Sequence, residues 1–440
     1  MRADITIVGL GPGDPDRRTV EAQRALDDAT RLFVRGHGDV PLDDILAGPG
    51  VTDLGQMRQH DAAPGGRWRI ASLAVCDAAG ERPVTLAVPG HPRFGEGLVE
   101  ETLAEARQRG LATRVLSGLS VVDMIATAAG FDPMRDDVQL FSAREVAADQ
   151  RHAPFAGGRF TGSPRRPMLF THVYDAPIIR GIATALSRIL PPEHVVTRVE
   201  AAGLLEESLD QLTIGELSGM PGGALVALWV PPLPVLDAGR DPRTLQHIVA
   251  RLRQPDGCPW DRKQTNASLK NALVDEVYEA VDAIDAGDMD NLAEELGDLF
   301  LLIAMHAQIA EEAGHFTLED VYEGIATKIV RRHPHVFGDE AAEHAEEVVG
   351  LWQRIKAEER ANGKKPTKAA DGQPRSMPAL ERASRVLKKH PFDAAEANSG
   401  DPGDLMLAAI AGIIEGGDDP DAVLRAALER HVEASRSDNV

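Results

Sequence analysis

The chain has 440 residues, more than one ordinary hydrophobic core organises, and this predicts at least two domains. With 43% hydrophobic and 26% charged residues it has the composition of a globular protein, which excludes disordered and fibrous classes. A formal net charge of -22 argues against polymeric nucleic acid or an anionic membrane surface as partner, since both demand excess Lys and Arg.

From the first residue to about 235, short β-branched runs end in glycine-rich turns and give way to helical patterns, the alternation of an α/β fold. Strands are predicted at Ile5 to Val8, Val84 to Val88 and Thr113 to Leu116, and each delivers a loop to one edge of a sheet. A second α/β lobe follows, with strands at Met168 to Thr171, Val195 to Val199 and Ala224 to Val230 and a helix at Ile178 to Leu190. The prolines of Pro231-Pro232-Leu233-Pro234 end it, because proline neither continues a strand ladder nor enters a helix interior. The domain is therefore expected at 1–235, followed by a linker at 236–243.

From 244 the pattern turns helical, and 244–362 reads as an all-α domain. Val274, Val277, Tyr278, Val281 and Ile284 recur with a period of about 3.6 residues, as do Leu292, Leu296, Leu299, Phe300 and Ile303. The turn Asp285-Ala286-Gly287-Asp288 between them is short enough to make the two helices antiparallel neighbours. Further helices are expected at Leu318 to Arg332, ending before Pro334, and at Glu346 to Arg360. A flexible connector at 363–378, rich in Gly, Lys and Pro, precedes a helical tail at 379–440 that shows no convincing internal repeat.

The first helix of the hairpin carries Glu276 and Glu279 and the second Glu295 and Asp298, each pair at an i, i+3 spacing that puts both carboxylates on one side. Antiparallel packing brings four acids into one small volume. Such a group is either a solvated helix face or a site for a hard cation, Mg²⁺ or alternatively Mn²⁺, with phosphate oxygens as further ligands. No Lys or Arg occurs from Val274 to Ala310, which favours the second reading over ion-paired decoration. Downstream, Lys328, Arg331 and Arg332 recur at i, i+3, i+4. They suit a triphosphate, and equally a helix C-terminus, whose dipole favours cations.

In order and spacing these elements resemble the MazG family. They are Gly257-Cys258-Pro259-Trp260-Asp261, Gln264-Thr265, the two acidic pairs, Arg331-Arg332-His333-Pro334-His335-Val336-Phe337 and Trp352-x-x-Ile355-Lys356-x-Glu358-Glu359-Arg360. The resemblance implies a magnesium-dependent nucleoside triphosphate pyrophosphohydrolase that acts as a homodimer or higher homo-oligomer through its helical domain. By position Glu276, Glu279, Glu295 and Asp298 would be the catalytic metal ligands, Lys328, Arg331, Arg332 and Lys356 the phosphate contacts, and Trp260 either a nucleotide contact beside the base or a member of the core.

At the other end, Gly9-Leu10-Gly11-Pro12-Gly13 follows the first strand, and Pro89-Gly90-His91-Pro92 and Ser117-Gly118-Leu119-Ser120 follow two others. Together these loops are similar to those of the tetrapyrrole methylase family, a two-lobed α/β fold that binds S-adenosylmethionine. The resemblance implies cofactor contacts at Gly9, Gly11, Pro12, Gly13, Pro89, Gly90, His91 and Pro92. His91 stands where many members have Asp, so methyl transfer and a retained fold with another ligand both stay open. A nucleotide-sensing protein without turnover is the alternative from outside enzymology.

Cys76 and Cys258 are the only cysteines, which excludes a disulfide framework and points to a reducing cytoplasm. The start of the chain lacks the pattern of a signal peptide, and the most apolar runs, Ala224 to Val230 and Leu299 to Ala304, fall short of the roughly 18 residues a bilayer span needs, so no membrane partner is expected.

Overall fold

The computed structural model describes residues 3–36, 42–57, 66–152, 160–223, 225–342, 344–361, 374, 376–393 and 400–437. Ala224 and most of the expected connector at 363–378 lie outside them. The chain forms two compact units, Met1–His315 and Phe316–Val440, each described by itself.

The first lobe runs β1 (Ile5–Gly9), α1 (Val20–Asp27), β2 (Leu32–Val34), α2 (Asp43–Leu46), β3 (Val51–Asp53) and α3 (Arg69–Glu81). It continues through β4 (Val84–Val88), α4 (Gly97–Arg109), β5 (Thr113–Leu116) and α5 (Val121–Ala129). Its sheet has the order β3-β2-β4-β1-β5 with every pairing parallel. A parallel sheet covered on both faces needs strands apolar on both sides, and β4 is buried along its whole length. The second lobe comprises β6 (Gln139–Ser142), α6 (Ala143–His152), β7 (Met168–Thr171), α7 (Ala176–Leu186), β8 (Val195–Glu200), β9 (Ser208–Thr213) and β10 (Val226–Val230). Its order is β6-β7-β10-β8-β9, antiparallel except for β6 beside β7. The expected strands lie where the pattern put them. Helix α7 stops four residues early, at Leu186, with Ser187 as its cap.

Residues 235–243 are pinned to the second lobe. Arg240 Nη1 donates to the Ser187 carbonyl at 2.7 Å, and the buried Asp241 carboxylate accepts from Ser163 Oγ at 3.0 Å. Asp241 also caps α8 (Pro242–Arg253) through the Arg243 amide. Helices α9 (Lys270–Ala286) and α10 (Met289–Glu312) pack with α8 around Val249, Leu269, Leu302 and Met305.

The second unit holds α11 (Leu318–Arg332), the short α12 (Pro334–Phe337), α13 (Ala345–Ala361), α14 (Ala379–Leu387), α15 (Pro402–Glu415) and α16 (Pro420–Ser437). Helix α11 has the bounds that the periodicity and Pro334 predicted, opened by a Thr317–Asp320 capping box. No helix among the described residues is long and apolar enough to cross a membrane.

Candidate functional site

The hairpin turn consists of Gly287 and Asp288. Gly287 takes φ +69°, open to glycine without strain, and its amide closes on the carbonyls of Ala283 and Ile284. Asp288 caps α10 by accepting from the Asn291 amide at 3.0 Å. So short a link returns α10 along α9. Ala280 and Ala283, 6% and 2% exposed, lie in the seam and let the helices approach closely.

That approach gathers the acids. Glu276, Glu295 and Asp298 each offer one carboxylate oxygen, and these atoms lie within 4.8 Å of one another. Glu295 is 9% exposed, Glu276 and Asp298 are half-buried, and the exposed Glu279 shares a carboxyl hydrogen bond with Glu295. Burial first, then the charges of Asp298 and Glu279, raise the Glu276 pKa above the ordinary range. Burial first, then Glu279 and Glu276, do the same to Glu295. Carboxylates that resist ionisation because they are buried and crowd one another match a cation site: a divalent ion offsets the lost hydration and removes the repulsion that adds to both shifts. Oxygen-only donors suit magnesium or manganese.

The expected cofactor loops meet at the carboxyl ends of β1 and β4, where open α/β sheets present ligands. Gly11 and Gly90 form an antiparallel bridge, with N–H···O distances of 2.6 and 3.3 Å. A Cβ on Gly9 would stand 2.5 Å from the Gly118 amide and 2.7 Å from the Gly90 carbonyl, so glycine there permits the contact of all three loops. Gly11, Pro12, Pro89, Gly90 and His91 line a cavity of about 150 Å³ that continues to the second lobe. Gly9, Gly13 and Pro92 do not line it. The His91 ring is engaged locally, its Nδ1 accepting from the Arg93 amide at 3.1 Å.

Residues 264–337 match the MazG nucleotide pyrophosphohydrolase domain and residues 4–218 the tetrapyrrole (corrin/porphyrin) methylases. The uncharacterized protein YabN of Bacillus subtilis is 32% identical over 403 residues, 88% of this chain and 77% of that protein. The chain belongs to the MazG family, fused to a tetrapyrrole methylase-like domain. The nucleoside triphosphate pyrophosphohydrolase of Escherichia coli is 47% identical over 143 residues, 32% of this chain. The match takes in 54% of that enzyme, so the chain spans about half the length of the curated pyrophosphohydrolase. Among solved structures, uroporphyrin-III-C-methyltransferase from Thermus thermophilus is 18% identical, with a TM-score of 0.39 over 52% of this chain and 93% of that one.

The other nucleotide contacts expected of the MazG part have their own surroundings. Trp260 is 64% exposed, outside any core. Lys328, Arg331, Arg332 and Lys356 belong to the second unit. There Arg331 and Arg332 both pair with the buried Glu359 carboxylate, Arg332 Nη2 at 2.6 Å, and hold its pKa down to about 2. Arg332 and Lys356 lie over the Trp352 ring, 5.1 and 4.6 Å from its centroid. The charge of Arg331 and Arg332 is thus already shared with an acid of the MazG motif.

Sequence reading missed Arg253. Its guanidinium reaches Glu312 at 2.7 Å and the Gln264 carbonyl at 3.3 Å, and it also bonds the Asp261 carbonyl, tying the Trp260 loop to α10. Arg253 stands four residues before the Gly257-Cys258-Pro259-Trp260-Asp261 motif, but its partner Glu312 is 59 residues away, and spacing gives no signal of that contact.

Proposed function

We propose that this protein hydrolyses nucleoside triphosphates to the monophosphate and pyrophosphate, with Mg²⁺ or Mn²⁺ held by Glu276, Glu295 and Asp298 and with Glu279 beside them. The observation that carries this reading is the convergence of three carboxylates within 4.8 Å across the hairpin, with Glu276 and Glu295 pushed toward protonation by burial and then by their acidic neighbours. The match to a MazG domain supports it. When bound, magnesium supplies neutralisation of phosphate oxygens and a water acidic enough to react near neutral pH. The quartet orients the triphosphate at the seam, and one of its carboxylates takes the proton of the water that attacks the α-phosphorus in line; pyrophosphate leaves.

Product analysis tests this. Incubation with Mg²⁺ and separate triphosphates should give monophosphate and pyrophosphate, and Glu295→Gln should abolish both. Release of orthophosphate would overturn the reading. Tight nucleotide binding without turnover under any divalent ion would instead favour a sensing protein.

We also infer that the N-terminal cavity accepts S-adenosylmethionine, because it is lined by the loops after β1 and β4 and lies within a region matching the methylases. If methyl transfer is the main activity, it should survive Glu295→Gln. The same reading covers a cytoplasmic location, a linker at 236–243 and a connector at 363–378, a degenerate second MazG unit at 379–440, and a homodimer or higher homo-oligomer formed through the helical domain. The last is supported by the uncovered apolar faces of α9 and α10, where Ile284 is 56% and Phe300 59% exposed.

A further inference from the structure

A second cavity, of about 330 Å³, opens at the edge of the second lobe's sheet and shares no lining residue with the one at the ends of β1 and β4. Small-molecule pockets start at roughly 300 Å³, so this one has room for an organic ligand. Its walls come from the edge strand β6, from α6, and from Phe160 and Thr161. Helix α6 contributes Glu145, Val146, Asp149 and Gln150, the i, i+1, i+4, i+5 spacing of one helix face. The helix is held firmly from behind: a Cβ on Gly181 of α7 would lie 2.5 Å from the Ala147 Cα, so glycine there lets the two helices touch.

Gln150 is 7% exposed, and its amide oxygen Oε1 is buried with no hydrogen-bond partner among the described residues. Buried polar atoms are nearly always paired, and an unpaired one costs stability, so a donor is expected from the cavity beside it. Another wall is aromatic. Phe141 and Phe160 have ring centroids 5.1 Å apart, and both rest on the fully buried Phe170, at 5.3 and 6.0 Å. A Cβ on Gly162 would lie 2.4 Å from Phe160 Cζ, so glycine at 162 makes room for this ring. Ser142 and Thr161 add hydroxyls, which both donate and accept. The charged lining residues, Glu145 and Asp149, are both acids, and Glu145 Oε1 is already paired with Arg144 Nη2 at 3.0 Å. With no Lys or Arg among the described residues lining the cavity, a phosphate or carboxylate finds no cationic partner there.

We propose that this cavity binds an uncharged planar heterocycle, its ring against Phe141 and Phe160 and a ring N–H or amino group donating to Gln150 Oε1. Aromatic walls favour a flat ring over an aliphatic chain, and an unpaired acceptor at the floor favours a ring with N–H over a plain hydrocarbon. Two sources offer that chemistry: a free nucleobase or an indole. The proposal rests on neither the hydrolase reading nor the S-adenosylmethionine reading, since no member of the acid quartet or of the glycine loops lines this cavity.

Calorimetric titration of the full chain tests this with adenine, indole and their fully N-methylated forms, 6-dimethylamino-9-methylpurine and 1-methylindole, which keep the ring and lack every N–H. Adenine or indole should bind the parent, roughly tenfold or more tighter than its methylated form, and the one that binds names the source. Gln150→Leu keeps the volume and removes the acceptor. It should erase that preference while melting no lower than the parent, because the oxygen it removes is unpaired. Phe160→Leu should weaken the bound heterocycle and its methylated form alike. Binding of neither adenine nor indole would overturn the proposal. So would binding that is equal for the methylated forms, or a preference for N–H that Gln150→Leu leaves unchanged, since the ligand would then sit elsewhere or be held without this contact.

Discussion

Glu295 carries the largest share of the crowding in the acid quartet, because it is the most buried member and meets Glu276 and Glu279 together. Replacing it by Gln removes a charge that the folded chain holds only against burial and the repulsion of Glu279 and Glu276. The metal-free variant should therefore melt no lower than the parent while losing hydrolysis by about 100-fold or more. Calorimetry with and without Mg²⁺ checks the same point: a cation in hundredfold excess over its dissociation constant stabilises the parent by about 2.7 kcal/mol, and Glu295→Gln should show none of that gain. Glu359 is the opposite case. Its pKa is depressed to about 2 by Arg332 and Arg331, so its contribution is fully present above the ordinary value of 4.5 and is lost as pH falls toward about 2. The gap in melting temperature between parent and Glu359→Gln should accordingly be widest near neutrality and narrow at pH 3.

At the scale of elements, spacing in the sequence was enough to place the acids on facing helices, since two i, i+3 pairs joined by a two-residue turn leave little freedom. It did not reveal which face of the hairpin would be covered. Val274, Val277, Tyr278, Val281 and Ile284 mark the helix period, yet they are 43 to 56% exposed, and the buried residues of α9 are instead Ala280 and Ala283. Periodicity reports an apolar stripe, not its partner. Because Ala283 is 2% exposed, Ala283→Leu should cost about 1–3 kcal/mol through overpacking. It should also weaken Mg²⁺ binding by prising the two acidic pairs apart. Thermal melts followed by metal titration would show both effects, and an unchanged metal affinity would separate the seam from the site.

For the molecule as a whole, the apolar hairpin face sets an expectation about assembly. A contiguous exposed stripe of this kind is characteristic of an interface. Sedimentation of the parent should give a dimer or higher species, and Phe300→Asp should shift it toward monomer with its helix content intact. A monomeric parent at high concentration would remove the homodimer from the proposed function.

The sequence by itself determined the succession of an α/β region and a helical one, most strand and helix positions, and the placing of the two acidic pairs on neighbouring helices, of which Glu276, Glu295 and Asp298 converge. Those features depend on residues close in the chain, whose periodicity, caps and turn chemistry act locally. Only the tertiary structure decided that Arg35, Glu96, Arg144 and His172 share one cavity, that Arg331 and Arg332 are already matched by Glu359, and that Arg253 ties down the Trp260 loop. The cavity, the Glu359 pairing and the Arg253–Glu312 contact join groups tens of residues apart, brought together by sheet order and helix packing, and nothing in local spacing encodes them.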